Sequence, residues 1–500
     1  ERQKEQAFLS WLSDNGAVFD SVEWPSRETG SQLRGGVARR DIATGEFMVT
    51  IPHRLLMSEF HARDDPDLGH VHRENARLLK GDNGLAVYIM QEVLKGESSL
   101  YWPYVRVLPQ PHNLRHWGDE SLLDLQDPRL VRRTASRIRQ LRALYRDTLG
   151  FLSRSYPALF PADRYTFELF DFAWSTVQAR AFGKRLKCSA LVPFADCLNH
   201  GNVQTKYDLD VDGNGMFRLY PSGTNLYPRG AAVLNSYGRR ANDNLLLEYG
   251  FAMLDNEWDA AEVACSLQSG DSLFERRKAC LRASGQRSQR LLRLRGGHWS
   301  VDILRFNRCV CLTESDLDTL ELGYDERHPP SEQHQSQQLL EAGGADTGGE
   351  KKSDGVPCSI LPADRSSRLR AGTTVENDQS ARSSRGRTQF VGDDGSGEPD
   401  GGQEEDDPLA MGFPCRALSA GNELAALTEI VVLLLEARDA YPTTLEHDEA
   451  RTMPRSSNRS ASVKADTAPE LLNALKYRIT VKRILAQHLD MAEQAIAFVQ

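Results

Sequence analysis

Zinc-type cysteine spacing is the first thing the chain lacks. Its eight cysteines, at 188, 197, 265, 280, 309, 311, 358 and 415, include no CxxC pair and no Cys/His ladder, which excludes a structural zinc. Cys309 and Cys311 alternate within FNRCVCLT as two neighbours on one strand face would, and the compartment is expected to be reducing. Long apolar runs are also missing. The longest, EIVVLLLEA from Glu429, holds six consecutive apolar residues, against the ~20 a bilayer span requires, so a soluble protein without a membrane partner is expected. Positive charge is not concentrated either: the net charge is -9, and the 61 Lys and Arg are scattered apart from a weakly basic run at 287–295. No nucleic-acid partner is expected on that count. The chain opens on Glu1 rather than Met, read here as a trimmed N-terminus, so no organelle is assigned.

What is present is length and a change of period along it. Five hundred residues suggest about two to four domains with room for a large core. EQAFLSWLSDNG, at 5–16, sets Phe8, Leu9, Trp11 and Leu12 at helical spacing and stops on Asn-Gly. GGVARRDIATGEFMVTIPHRLLMS, from Gly35, alternates polar and apolar residues, turns at Gly45 and stops at Pro52, which predicts a β-hairpin with a glycine-rich entry. Residues 85–94, 129–149 and 167–181 carry 3.6-like spacing, so a helical block separates two strand-rich pieces. Strands return in ALVPFAD, GMFRLYP and AAVLNSYG, and ANDNLLLEYGF reads as a short capped helix and a turn.

Beyond Leu254 helices are expected to dominate, with 422–437 and 470–499 bundled against 266–294. Between Gly343 and Gly402 lie 12 of the 38 glycines and few large apolar residues. Such a stretch cannot bury enough surface to offset its ordering entropy, which predicts a disordered insert over about 325–412 and a second near 450–467. DLDVDGNGMFRL, from Asp208, opens like a calcium loop, but position twelve is Leu219 rather than the bidentate Glu. An acidic β-turn joining two strands is the better reading, and no metal is expected.

Four features stand at telling distances: Gly35 and Gly36, Arg180 in QARAF, Asn199 and His200 closing LVPFADCLNHGN, and NSYGRRANDNLLLEYGF from Asn235. In that order they resemble the SET-domain methyltransferases, in the branch that includes the Rubisco large-subunit lysine methyltransferase and the actin-histidine methyltransferase. The likeness covers nearly the whole chain, including FLSWLSDNGAVFDSVEW near the start and YPTTLEHDEA with ALKYRITVKRIL near the end.

The resemblance implies an α+β fold: a β-rich knotted SET core at 1–255, strand-rich at 30–58 and 190–255 with a helical insertion at about 59–188, then an all-helical substrate-binding domain at 256–500. It implies S-adenosylmethionine as cofactor and a non-histone protein substrate, with the protein acting as a monomer. Arg34, Gly35, Gly36, Arg180, Asn199 and His200 would hold the cofactor, glycine admitting close backbone approach and arginine meeting a carboxylate. Tyr237 would be the catalytic tyrosine beside the methyl group and a cofactor contact. Asp196, Tyr207, Tyr249 and Arg180 would face the substrate. Tyr249 favours lysine, since the histidine-specific member lacks a tyrosine there. A histidine methyltransferase, or an inactive SET module that binds partners, is the alternative. Two departures stand out: Ala231 replaces the acid usual before the tyrosine strand, and Asp243 stands where alanine is common.

Overall fold

A computed structural model describes residues 1–27, 34–183, 186, 188–209, 215–327, 418–452 and 468–500. The chain forms two compact units, Glu1–Leu312 with Asp406–Gln500, and Thr313–Glu405. The strands are β1 (Val22–Arg27), β2 (Arg34–Ala38), β3 (Val49–Pro52), β4 (Met57–Ser58), β5 (Ala190–Leu191), β6 (Asn199–His200), β7 (Thr205–Leu209), β8 (Met216–Pro221), β9 (Ala232–Asn235), β10 (Ala260–Ser266) and β11 (Gln289–Arg295). The helices are α1 (Arg2–Asp14), α2 (Glu59–Asp64), α3 (Gly69–Glu74), α4 (Asp82–Lys95), α5 (Trp102–Val105), α6 (Asp119–Leu123), α7 (Pro128–Ser155), α8 (Phe167–Arg180), α9 (Asn242–Asn244), α10 (Phe274–Ala283), α11 (Val301–Val310), α12 (Glu314–Arg327), α13 (Ala420–Asp439), α14 (Leu445–Thr452) and α15 (Pro469–Val499).

The long helices begin where side chains satisfy their first N–H groups. Asp127 accepts from the N–H of Arg129 and Leu130 ahead of α7, which has Pro128 in its first turn. Thr166 accepts from Leu169 N at the start of α8. In the second unit, α12 opens on Thr313, whose hydroxyl accepts from Asp316 N while Asp316 accepts from Thr313 N.

The first unit holds four sheets among the described residues, in the orders β1-β2-β9-β6, β3-β8-β7, β4-β5 and β10-β11. The hairpin expected from Gly35 is not formed. Val37 pairs with Ala232, whereas Val49 pairs with Leu219, so β2 and β3 belong to different sheets. Alternation located both strands, but nearness in sequence does not choose a partner. The acidic turn after Asp208 lies between β7 and β8, which pair antiparallel with Asp208 opposite Arg218; residues 210–214 lie outside the described ones.

One buried cluster runs from Phe8 and Trp24 through Ile51, Ile89 and Phe170 to Leu191, Phe194 and Phe217, so the helical insertion and the strands share a core. The C-terminal region is helical, with α13 packed on α11 and α15 and α14 on α15. Its entrance differs from expectation. Residues 266–294 are not helical throughout: α10, which packs on α11, lies between two antiparallel strands, β10 and β11, whose Ala261, Val263, Cys265, Leu292 and Leu294 alternate inward, and both strands pack on α15. Cys309 lies on helix α11 and Cys311 caps it, correcting the strand reading; Ile303, Phe306 and Cys309 recur at helical spacing on its buried side. The inserts expected at 325–412 and 450–467 lie outside the described residues, save 325–327 and 450–452, which end α12 and α14.

Candidate active site

The chain reaches the site through a strained turn. Phe194 is buried at φ 74, a conformation unfavourable for a bulky side chain, and is pinned by rings of Phe19 at 4.3 Å and Trp24 at 6.4 Å. A short 3-10 turn, Ala195–Cys197, follows and delivers Leu198 and then β6. Strand β6 runs parallel to β9, with Asn199 opposite Leu234 and His200 opposite Asn235. Strand β2 lies close by: a Cβ on Gly35 would sit 2.9 Å from Asn199 Nδ2, and one on Gly36 2.7 Å from Leu198 Cδ2. Only glycine lets β2 lie against the Asn-His segment so closely.

Three rings then stack. His200 and Tyr237 have centroids 5.0 Å apart at 23°, and Tyr237 and Tyr249 5.1 Å apart at 22°. Phe251 stands edge-on to Tyr237 and Tyr249, and the Arg240 guanidinium lies 5.6 Å from the Tyr249 ring centre. Asn199, His200, Tyr237 and Tyr249 are all part-exposed, so the stack forms a wall open to solvent.

Hydrogen bonds fix its polar atoms. The Tyr237 hydroxyl donates to Leu198 O at 2.8 Å, and Tyr237 N donates to His200 Nδ1 at 3.1 Å. Nδ1 also lies 3.3 Å from Asn235 O, so it faces both a donor and an acceptor, while Nε2 is buried without a partner among the described residues. Burial pushes the His200 pKa down, favouring the neutral ring, and pushes the Tyr237 hydroxyl up.

Arg180 ends α8 and donates to Asp196 O at 2.7 Å, with the Asp196 carboxylate 3.6 Å away. Asp196 was expected to face substrate, and here the expectation is corrected: its side chain has no exposure and accepts from Tyr104 Oη at 2.5 Å. Burial pushes its pKa up while Arg180 pulls the other way. The carboxylate sits under the turn that presents Asn199, held by a tyrosine of the helical insertion. Tyr207 is part-exposed and packs with Phe182 and Phe217, 5.1 and 5.6 Å away. Arg34 spends its largely buried side chain on Val107 O, Glu1 and Glu5, leaving its backbone beside the glycines.

Tyr249 is presented by a π-helical turn, Leu245–Tyr249, that continues α9. Arg115 donates to Glu248, Arg137 lies 3.6 Å from it, and Asp243 bridges Arg133 and Arg293. The departure at Asp243 therefore has a purpose, joining α7 and β11 to this segment. Helix α15 grips the same segment: Asn473 donates to Gly250 O and accepts from Ala252 N. Asn242 donates to Asp259 and to Thr480. A cavity of about 310 Å³ lies just beyond, lined by Asn256, Asp259, Thr480, Ile484 and Gln487 rather than by the rings.

Tyr104, Phe251 and Arg240 were missed in the sequence. Tyr104 stands 92 residues before Asp196, with no local signal; Phe251 and Arg240 lie within the NSYGRRANDNLLLEYGF motif and could have been named from it.

Comparisons with known proteins bear on the fold and on the C-terminal region. Residues 400–485 match the family model for Rubisco LSMT substrate-binding. A bovine N-lysine methyltransferase, SETD6, is 25% identical over 306 residues, 57% of this chain and 64% of its own. The fruit-fly actin-histidine N-methyltransferase is 26% identical over 349 residues, 63% of this chain and 62% of its own. The chain thus spans less than two thirds of the length of these relatives. A solved structure of Rubisco LSMT bound to sinefungin and monomethyllysine superposes with a TM-score of 0.64 at 18% identity, covering 99% of this chain and 93% of that one. The fold is thus that of the solved Rubisco LSMT SET-domain structures. By sequence the chain is similar to protein methyltransferases that act on lysine and on histidine, with a Rubisco LSMT substrate-binding match in its C-terminal region.

Proposed function

We propose that the protein transfers a methyl group from S-adenosylmethionine to a lysine of a non-histone protein. The observation that carries this is the stack of His200, Tyr237 and Tyr249 beside Asn199 and Gly35. The cofactor fits the residues present on two counts: the orphaned His200 Nε2, and the glycine that keeps β2 from colliding with Asn199. Asn199, His200, Arg180 and the backbone of 34–36 would hold it, and bound there it supplies an electrophilic sulfonium methyl.

The chain's own contribution is alignment and dehydration. A free lysine has a pKa near ~10.4 and no lone pair to offer at neutral pH. Aromatic walls from Tyr237, Tyr249 and Phe251 disfavour the charged ammonium, as desolvation does for any buried amine. Tyr237, whose hydrogen is committed to Leu198 O, keeps its oxygen lone pairs turned to the channel as acceptors for polarised C–H groups. The region past residue 255 would dock the protein substrate and the part before it would carry the chemistry.

A second reading, methylation of histidine, is favoured by the likeness to the fruit-fly enzyme. Incubating the protein with a cell extract and trideuteromethyl S-adenosylmethionine, followed by mass spectrometry, separates the two by the residue labelled. Calorimetry supplies the prior test. S-adenosylmethionine binding that is absent, or that survives Asn199→Ala unchanged, would sink the assignment.

A further inference from the structure

Helix α7 carries eight arginines and one acid, Asp147, in its 28 residues. Three arginines face inward partners: Arg129 near Asp127 and Glu262, Arg133 on Asp243, and Arg137 near Glu248. The other five, Arg132, Arg139, Arg142, Arg146 and Arg154, are exposed, and none makes an ion pair among the described residues. At about 100° per residue they fall within an arc of roughly 120°. That arc is turned away from buried Leu130, Leu141 and Leu152. They extend along about 33 Å of helix. The other positions on the arc are small: Ala135, Ser136, Ala143, Gly150 and Ser153.

A merely solvated helix face mixes its charges, with acids three or four residues from bases. Here Arg139, Arg142 and Arg146 follow one another at spacings of three and four, so like charges repel along a chain whose net charge is negative. We propose that this face binds the phosphodiester backbone of a nucleic-acid duplex. The guanidinium fork matches phosphate oxygens, and the length of the row is close to one duplex turn of ~34 Å. A membrane is disfavoured because the apolar side of α7 is already spent in the core, leaving nothing to insert. A protein interface is disfavoured because the arc offers no aromatic or aliphatic anchor at its centre. Recognition is of charge and spacing, independent of base sequence.

The test uses the full chain and two labelled 20-base-pair duplexes of mixed sequence, one RNA and one DNA, with anisotropy read from 50 to 200 mM KCl. Binding to the DNA duplex should weaken with salt at a log–log slope of about -4.5, as five arginines on phosphates require. The variant R132Q/R139Q/R146Q/R154Q, which keeps good helix formers, should bind at least about tenfold more weakly, with a DNA slope shallower by about 3.6. A charge-matched control, R39Q/R229Q/R282Q/R287Q, should bind like the unaltered protein. The proposal is overturned if neither duplex binds at 50 mM KCl, if the two variants behave alike, or if polyglutamate or phosphatidylserine vesicles compete as well as the duplexes do. None of these readouts involves methyl transfer.

Discussion

Tyr237 gives its hydroxyl hydrogen to Leu198 O while its ring is clasped between His200 and Tyr249. Tyr237→Phe keeps the stack and removes only the oxygen. Affinity for S-adenosylmethionine by calorimetry should be unchanged, while kcat falls on the order of 10²-fold, the cost of removing one preorganised polar group from a transition state; equal turnover would show the tyrosine to be misassigned. Tyr104 acts one step further out, donating to the buried Asp196 carboxylate that Arg180 also faces. In Tyr104→Phe that oxygen loses a donor where water cannot replace it, at a cost of about 1–3 kcal/mol. Because the carboxylate sits under the Asn199 turn, cofactor Kd should rise together with a small loss of thermal stability. A stability loss with unchanged cofactor Kd would make Tyr104 a core residue only. One arrangement is not visible residue by residue: Arg132, Arg139, Arg142, Arg146 and Arg154 are unevenly spaced in the sequence, and only the helix period sets them in a row.

Among the elements, the turn closing the Tyr249 segment is the most constrained. Gly250 has φ 85, and a Cβ there would meet His112 O at 2.5 Å. Gly250→Ala combines left-handed strain with a backbone clash, so a destabilisation of about 1–3 kcal/mol is expected, read as a lowered Tm, with loss of turnover because Tyr249 precedes it directly. A variant with native Tm and rate would mean the turn relaxes freely. Elements with strong periodicity were legible in the sequence: α4, α7 and α8 lie where 3.6-residue spacing put them, and Asn199, His200, Tyr237 and Tyr249 converge as their motifs implied. What was not legible is pairing. Strands β2 and β3 read as a hairpin, and β10 and β11 read as helix although AAEVACS alternates, because a short apolar run carries both periods weakly and tertiary contacts choose between them. Asp196 was misplaced for a related reason: a motif fixes where the backbone goes, and the packing of distant Tyr104 decides where the side chain points.

For the whole molecule, pH should act at the join between the Tyr249 segment and the C-terminal helices. Burial lifts the Asp259 carboxyl to about 6, against the donors Thr480 and the Asn242 backbone, with Asp243 adding repulsion. A carboxyl whose pKa is raised by folding binds its proton more tightly in the folded state. Its contribution is whole below the unfolded value near ~3.9 and is lost as pH rises through 6, roughly 3 kcal/mol in all. Relative to Asp259→Asn, which does not titrate, the natural protein should lose a few °C of Tm between pH 4.5 and 7. A gap in Tm constant across that range would remove Asp259 from this role. Asn473 and Thr480, the two points at which α15 holds the Tyr249 segment, are seven residues apart and so share one face of the helix. On the proposed function, substrate choice would thus not be portable: a chimera that took its last helices from a relative would also replace the fastenings of the Tyr249 segment. To keep the chemistry while changing the target, residues 242–259 and 469–485 would have to be inherited as one piece.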